Sequence, residues 1–280
     1  MFTLPHSLNA LYGTHPRWVI DTLFACSAQT LAEFASNPKW MGLAGGTPAF
    51  SLVLHTRTQD LRLHIHLHAV MACGVLGTDG NGRGQWHMPT RKPDFLFPVQ
   101  ALSKVFRGKF MAALAAAHKA GRLERDPQGD DQSWRARQRQ LYQHAWVVYA
   151  KTPLGGPTQV LEYLSRYTHR TAISNERIRS ISEHEVAFSV RADDHGGKRL
   201  VRLDGAEFVR RFMLHILPSG IKLQGSQACN SPCSFADASA QLTGAGVRPG
   251  IHGAGSQARC GLVSVLRARS FAGNGGARRS

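Results

Sequence analysis

The stretch 61–71, LRLHIHLHAVM, decides how this chain must fold, because His64, His66 and His68 alternate in it with aliphatic residues. Side chains two apart in a strand share a face and lie about 6.6 Å apart along it. The pattern therefore predicts a strand from Leu61 to Cys73, with three imidazoles on one face and an aliphatic core on the other. Neutral imidazole is the commonest metal ligand among side chains, so this face is a candidate metal site. A histidine-rich edge strand that binds no metal is the alternative.

The neighbouring segments build a sheet around this strand. Phe50 to Thr56, rich in Leu and Val, predicts a second strand, and Gln59-Asp60 is the expected turn of a hairpin between the two. Phe2 to Pro5 resembles the end of another strand. The turn signal TDGNG at 78–82 precedes a short predicted strand at Gln85 to Met88.

Apolar spacings near three and four predict the helices, and short alternating runs predict further strands. The predicted helices cover Pro16 to Ala35, Pro98 to Lys119, Gln132 to His144, Pro157 to Thr168 and a segment capped by Asp204 that reaches Ile216. The further strands are Trp146 to Ala150, as a buried strand, and then Ile178 to Ser182, Glu185 to Arg191 and Lys198 to Leu203. A hairpin turn is expected at residues 194–197.

The predicted helix after Gly155-Gly156-Pro157 carries two tyrosines, Tyr163 and Tyr167. Residues at i and i+4 lie on one helix face with Cβ atoms roughly 6 Å apart, so the two phenols are neighbours. The basic or titratable side chains around them are Arg166, His169 and Arg170. Taken alone, such a pair is more often plain packing than chemistry.

The charge and the cysteine content limit the kinds of function that this protein can have. The 280 residues include 34 Lys and Arg against 18 Asp and Glu, a net charge of +16 that is spread along the chain and favours a nucleic-acid partner. Five cysteines without a CxxC pair form neither a disulfide framework nor a zinc ribbon, which indicates a reducing cytosol. The sequence shows neither a membrane-span signal nor a signal-peptide pattern at its first residues.

Together these features predict chemistry on DNA. A divalent ion can polarise a phosphodiester, and a tyrosine phenolate can attack phosphorus to form a covalent phosphotyrosine. Cationic neighbours lower the pKa of a phenol and also hold the DNA backbone. Histidine face, tyrosine pair and basic surface therefore predict DNA nicking and joining.

Four stretches of the chain resemble one known family. His66-Leu67-His68 resembles the HUH motif, and YLSRYTHRTAISN at 163–175 resembles the two-tyrosine block of HUH transposases of rolling-circle insertion sequences, the insertion-sequence-ninety-one type. LSKVFRGKF at 102–110 and WVVYAKTPLGGP at 146–157 resemble the same family. The resemblance covers residues 2–222 in order.

The resemblance implies an α+β fold and a mechanism. The fold is a central antiparallel sheet flanked by helices, with the histidine strand facing the tyrosine helix. Tyr163 or Tyr167 attacks a phosphodiester at the element end, becomes linked to the 5′-phosphate and leaves a free 3′-OH, and the other tyrosine allows a further cleavage. His66 and His68 hold Mg²⁺ or Mn²⁺. His64 is the first candidate for a third ligand, and His169 is the second.

The resemblance also implies the partners and the location. The DNA is single-stranded, at the element ends and the target, and the protein acts in the bacterial cytoplasm with the nucleoid DNA, without membrane association. The expected DNA-binding residues are Arg166, Arg170, Lys104, Arg107 and Lys109.

Three departures from the family stand out. Ile65 occupies a position where members often have proline, and a cysteine-rich zinc region expected before the sheet is missing here. The resemblance ends near Ile221-Lys222, after which the chain is rich in Gly, Ala, Ser and Arg. We therefore expect a catalytic domain at 1–222, a disordered basic tail at 223–280, and a copy truncated at both ends. The pair Cys229 and Cys233 is then accidental.

Three other functions fit part of this pattern. An inactive, truncated remnant would bind DNA without cleaving it. A rolling-circle replication initiator or relaxase shares the chemistry, but the THRTAISN continuation at 168–175 is typical of the transposases. A metallohydrolase built on the three histidines would leave the tyrosine pair unexplained.

Overall fold

The chain folds into an α+β structure with two antiparallel sheets and flanking helices. This computed structural model describes residues 1–89, 96–123, 131–152, 154, 156–168, 173–192, 197–214 and 224–227. The strands are β1 (Phe2–Thr3), β2 (Thr47–Arg57), β3 (Leu63–Thr78), β4 (Gly84–His87), β5 (Ile178–Ile181), β6 (Glu185–Arg191), β7 (Lys198–Asp204) and β8 (Gln224–Gln227). The helices are α1 (Asn9–Thr14), α2 (Pro16–Ala35), α3 (Pro38–Met41), α4 (Val99–Lys119), α5 (Asp131–Gln143), α6 (Pro157–Thr168) and α7 (Gly205–Met213). The predicted fold class is confirmed.

The histidine strand β3 is the central strand of the larger sheet. The order is β1-β3-β2-β8, with β4 also paired to β3, and every pairing is antiparallel. The predicted hairpin of β2 and β3 is confirmed, and both strands are longer than predicted. β5, β6 and β7 form a separate three-stranded sheet.

The aliphatic face of β3 supports the main core. Ile65 and Leu67 are fully buried there, and Phe2, opposite Leu67 in the register, packs edge to face on Phe106 of α4 with ring centroids 5.1 Å apart. α2 packs against α4 in the same layer. Because side chains alternate along a strand, the histidines face the other side of the sheet from α4.

The segment predicted as a buried strand at 146–150 forms a single bridge instead. Val148 pairs with Phe2, and the backbone N–H of Thr3 donates to the Val147 carbonyl at 3.0 Å. Trp146 and Val148 are buried, whereas Val147 and Tyr149 are more than half exposed. β1 contributes only two residues, so this ladder cannot extend, and the segment lies half buried at the edge.

The larger sheet includes a strand beyond residue 222, where the family resemblance ends and the expected catalytic domain stops. Gln224–Gln227 forms β8 and pairs antiparallel with β2 over Phe50 to Val53. Strand pairing uses backbone groups, which composition does not reveal. The rest of the predicted tail, 228–280, lies outside the described residues, as does most of the predicted hairpin turn at 194–197.

The turn between β2 and β3 docks into the second sheet. Leu61 is fully buried with a φ of 63° and packs in the small core that contains Phe188 and Val190. The Asp60 carboxylate accepts hydrogen bonds from Thr58 and from Arg199 Nη2 at 3.2 Å, and it pairs with Arg62 Nε at 2.8 Å. The second sheet therefore holds the hairpin from which His64 and His66 follow.

Replacing Asp60 with asparagine should destabilise this junction. Burial acts to raise the pKa of Asp60, but the Thr58 hydrogen bond and the charge of Arg62 outweigh it and hold the pKa below its ordinary value. We expect the free energy of unfolding in urea to fall by about 1–3 kcal/mol, because the amide lacks the negative charge and one of the two acceptor oxygens that Arg62 and Arg199 pair with.

A matched control for this variant lies on the same small sheet. Glu185→Gln removes an exposed ion pair with Arg202, joined at 2.8 Å, and should change the free energy of unfolding by less than about 1 kcal/mol. Equal losses for the two variants would contradict a special role for the Asp60 junction.

Candidate metal centre and tyrosine site

Three histidines from the β2–β3 hairpin come together on the sheet face opposite the main core. His55 of β2 lies directly opposite His66 of β3 in the register, and its ring centroid is 4.5 Å from that of His68. The potential ligand atoms of His55, His66 and His68 all lie within 4.8 Å of one another. This histidine group is the candidate metal centre.

The protonation of His66 suits a metal ligand. Its Nδ1 lies 2.9 Å from the carbonyl oxygen of His64, so Nδ1 carries the proton and donates, and Nε2 keeps its lone pair. Burial is the main cause that lowers the pKa of His66, to about 3; the hydrogen bond to the His64 carbonyl opposes this shift, and the nearby imidazoles of His64 and His55 add to it. The imidazole is therefore neutral at physiological pH, the form that binds metal ions.

Tyr163 of α6 lies beside the histidine group. Its hydroxyl is 3.1 Å from Nδ1 of His68, and the two ring centroids are 6.3 Å apart. Val160, one turn earlier, is buried, while Leu161 and Glu162 are exposed, so the face that carries Tyr163 is the face turned to the protein. The histidine strand thus faces the tyrosine helix, as the sequence resemblance implies.

The residues at the start of α6 fix where this helix begins. Gly156 has a φ of 144°, in the region that favours glycine, and Pro157 follows as the first helical residue. Tyr167 lies one turn beyond Tyr163 on α6. The side chains of Tyr167 and Arg166 are outside what the structure describes, and so are residues 169 and 170 with the predicted His169 and Arg170.

His64 lies next to the histidine group but is not one of its three members. Its ring centroid is 4.9 Å from that of His66 and 5.5 Å from that of His6. Burial, His6 and Arg62 lower the pKa of His64, which keeps it neutral. The third member brought together by the fold is His55, a residue that the sequence interpretation overlooked.

A sequence signal for His55 existed in the predicted hairpin. Pairing the strands about a turn at Gln59-Asp60 places residue 55 opposite an even-numbered residue, on the same face as His64, His66 and His68. Symmetric pairing would put His55 opposite His64. The observed register has an irregularity between His55 and Arg57, and it places His55 opposite His66.

The predicted DNA-binding residues of α4 lie on a helix that packs against the other face of the sheet. Lys104 is exposed. Arg107 donates through Nη1 to the carbonyls of Tyr142 at 2.7 Å and His144 at 3.2 Å, and Lys109 pairs with Glu33 at 2.7 Å. Arg107 and Lys109 therefore hold neighbouring segments together, and only Lys104 among the three presents a charge without such a contact within the described residues.

The fold and the site together describe an α+β protein in which a three-histidine group lies next to a tyrosine hydroxyl. Residues 49–225 match the family described as "Putative transposase", and this range contains His55, His66, His68, Tyr163 and Tyr167. The match covers more than half of the chain, so this protein belongs to that family.

One curated relative supports the same assignment. The chain is 38% identical over 225 residues to "Putative transposase y4qJ" of Sinorhizobium fredii (strain NBRC 101917 / NGR234). The aligned part covers 79% of this chain and 54% of the relative, so this chain spans about half the length of that relative. No solved structure matches the chain. Among the helices that the structure describes, none combines the length and apolar character needed to cross a membrane.

Proposed function

We propose that this chain is the catalytic part of a transposase that nicks and rejoins single-stranded DNA at insertion-sequence ends, in rolling-circle transposition. The observation that carries the proposal is the contact between the Tyr163 hydroxyl and His68, a member of the histidine group. Family membership supports transposition as the process, and the position of a phenol at a potential metal site supports tyrosine as the nucleophile.

The reaction is a phosphoryl transfer to tyrosine. The Tyr163 oxygen attacks phosphorus and loses its proton, the bond from phosphorus to the 3′-oxygen breaks, and that oxygen takes up a proton to become a free 3′-OH. The product is a 5′-phosphotyrosine, and attack by a 3′-OH reverses the step and rejoins DNA. When Nδ1 of His68 carries a proton, it donates to the phenolate oxygen and stabilises the attacking form.

His55, His66 and His68 would hold the divalent ion. The ion would polarise the phosphodiester and neutralise charge on its oxygens. Mg²⁺ prefers oxygen ligands in octahedral geometry, whereas imidazole suits transition metals. Of the two ions that the resemblance implies, an all-histidine set therefore favours Mn²⁺ over Mg²⁺.

The DNA strand and the second tyrosine complete the proposal. A net charge of +16 favours a polyanion. Arg166 and Arg170 are the proposed phosphate contacts near the tyrosine helix, and Lys104 is a further proposed contact on α4, at the other face of the sheet. Tyr167 follows Tyr163 by one helical turn, which allows it to accept a second strand while the first remains attached.

Covalent adduct formation tests the proposal. The purified chain is incubated with a 3′-labelled single strand that carries the terminal sequence of its element, because the 3′ fragment stays attached to the enzyme. We expect a labelled protein band in denaturing gels with Mn²⁺ and none with EDTA. Salt-sensitive DNA binding without an adduct in Mn²⁺ would instead support the DNA-binding remnant.

A further inference from the structure

We propose that Arg62, His64 and His6 form a phosphate-binding subsite that holds the backbone of the DNA strand beside the metal centre. This inference rests on the proposed function and assigns His64 a role other than metal ligation. The ligand is a phosphodiester of a single strand, next to the one that is cleaved.

The subsite continues the histidine face of the sheet. His64 is two residues from His66 on the same strand face, and their ring centroids are 4.9 Å apart. His6 approaches His64 from the segment after β1, with ring centroids 5.5 Å apart. A strand whose scissile phosphate lies at the histidine group would therefore pass over His64 and His6.

Arg62 supplies the charge of the subsite. Its Nε pairs with Asp60 Oδ2 at 2.8 Å, and its side chain is 66% exposed. Within the described residues, the two Nη nitrogens of Arg62 make no hydrogen bond or ion pair. This side of the planar guanidinium is therefore available to bind two phosphate oxygens. Asp60 is itself shared with Arg199, so this carboxylate orients the guanidinium without cancelling the local positive charge.

The His6 imidazole supplies an N–H donor to the subsite. The Asn9 side-chain amide nitrogen lies 3.3 Å from Nδ1 of His6, which makes Nδ1 the acceptor and leaves the proton on Nε2. Leu8 is buried in the main core and anchors the short turn His6–Leu8 that carries this ring. A neutral imidazole N–H can donate to a phosphate oxygen, so the subsite does not depend on histidine protonation.

Binding without metal tests the subsite. We would measure the affinity for a fluorescein-labelled oligothymidylate by anisotropy in EDTA over a range of salt concentrations. Arg62→Gln should weaken binding about tenfold. It should also lower the slope of log affinity against log salt by about 0.7, the value for one phosphate contact on a single strand. Arg62→Lys should restore the slope, which a folding defect would not do.

His64→Gln separates phosphate binding from metal binding. We expect weaker oligothymidylate binding with an unchanged salt slope and an unchanged affinity for Mn²⁺ measured in a separate titration. Arg17→Gln is the matched control, because Arg17 is also an exposed arginine next to an aspartate, Asp21, and lies on α2.

Each contrary outcome has a definite meaning. Equal affinities and slopes for the native protein, Arg62→Gln and Arg17→Gln would overturn the subsite, and so would a loss of Mn²⁺ affinity in His64→Gln that made it a metal ligand. An adduct together with Arg62-independent binding would overturn the subsite alone. Arg62-dependent binding with no adduct would overturn the proposed function alone.

Discussion

Tyr163→Phe should reduce the first DNA cleavage by about 10³-fold or more, since loss of a covalent nucleophile costs an enzyme at least that much. Phenylalanine keeps the ring that packs 6.3 Å from the His68 ring and removes only the hydroxyl that lies 3.1 Å from Nδ1. The effect is therefore a loss of chemistry at the phenol, with the packing of α6 retained. We infer from the position of its hydroxyl at the histidine group that Tyr163 acts as the first nucleophile.

The measurement is the initial rate of adduct formation with a 3′-labelled single strand in Mn²⁺. Tyr149→Phe is the control, since Tyr149 is about half exposed at the sheet edge and should leave the rate unchanged. A full rate in Tyr163→Phe together with loss in Tyr167→Phe would make Tyr167 the first nucleophile. An adduct in the double variant would rule out tyrosine catalysis altogether.

His55→Ala should abolish metal activation. Loss of a partner outside the first ligand shell typically costs 10- to 100-fold in metal affinity, so removing one of three imidazoles should exceed about 100-fold. His55 lies opposite His66 and has its ring centroid 4.5 Å from that of His68, so no histidine on the described part of β2 can replace it. The adduct yield should fall in parallel with the affinity for Mn²⁺.

Mn²⁺ affinity can be followed through the paramagnetic resonance signal of the free ion. His184→Ala, which removes an exposed histidine near the second sheet, is the control and should bind Mn²⁺ as the native protein does. A folded His55→Ala or His55→Gln variant with native Mn²⁺ affinity would show that His55 is not a ligand.

Local periodicity predicted a large part of this structure. The alternation at 61–71 predicted the central strand and its two chemically different faces, because each side chain's face depends only on its own position along the strand. The Gly-Pro start predicted α6 at Pro157–Thr168 with the bounds that the structure has. Local pattern does not predict the structure of the segment at 146–150 correctly, because its pairing depends on a two-residue strand far away in the chain.

The pattern of the histidine strand alone does not predict the third member of the histidine group, His55, because His55 lies on the neighbouring strand β2. The predicted two-residue turn is enough to place His55 on the same sheet face as His66. Which residue lies directly opposite His55 depends on the turn and on the irregularity between His55 and Arg57. The turn itself is held by contacts from the second sheet to Asp60 and Leu61. Arg62 pairs with Asp60 in this turn and lies close enough to His64 for its charge to lower the pKa of that imidazole, where the phosphate-binding subsite is proposed.

Local sequence patterns identify most of the residues that can do chemistry here: the alternating histidines, the tyrosine helix and the basic side chains. Their arrangement depends on the folded chain, which places His55 in the histidine group and Tyr163 against His68, and which engages Arg107 and Lys109 in contacts within the protein. The physical reason is that periodicity is a property of a single segment. Register and packing depend on partners far apart in the chain.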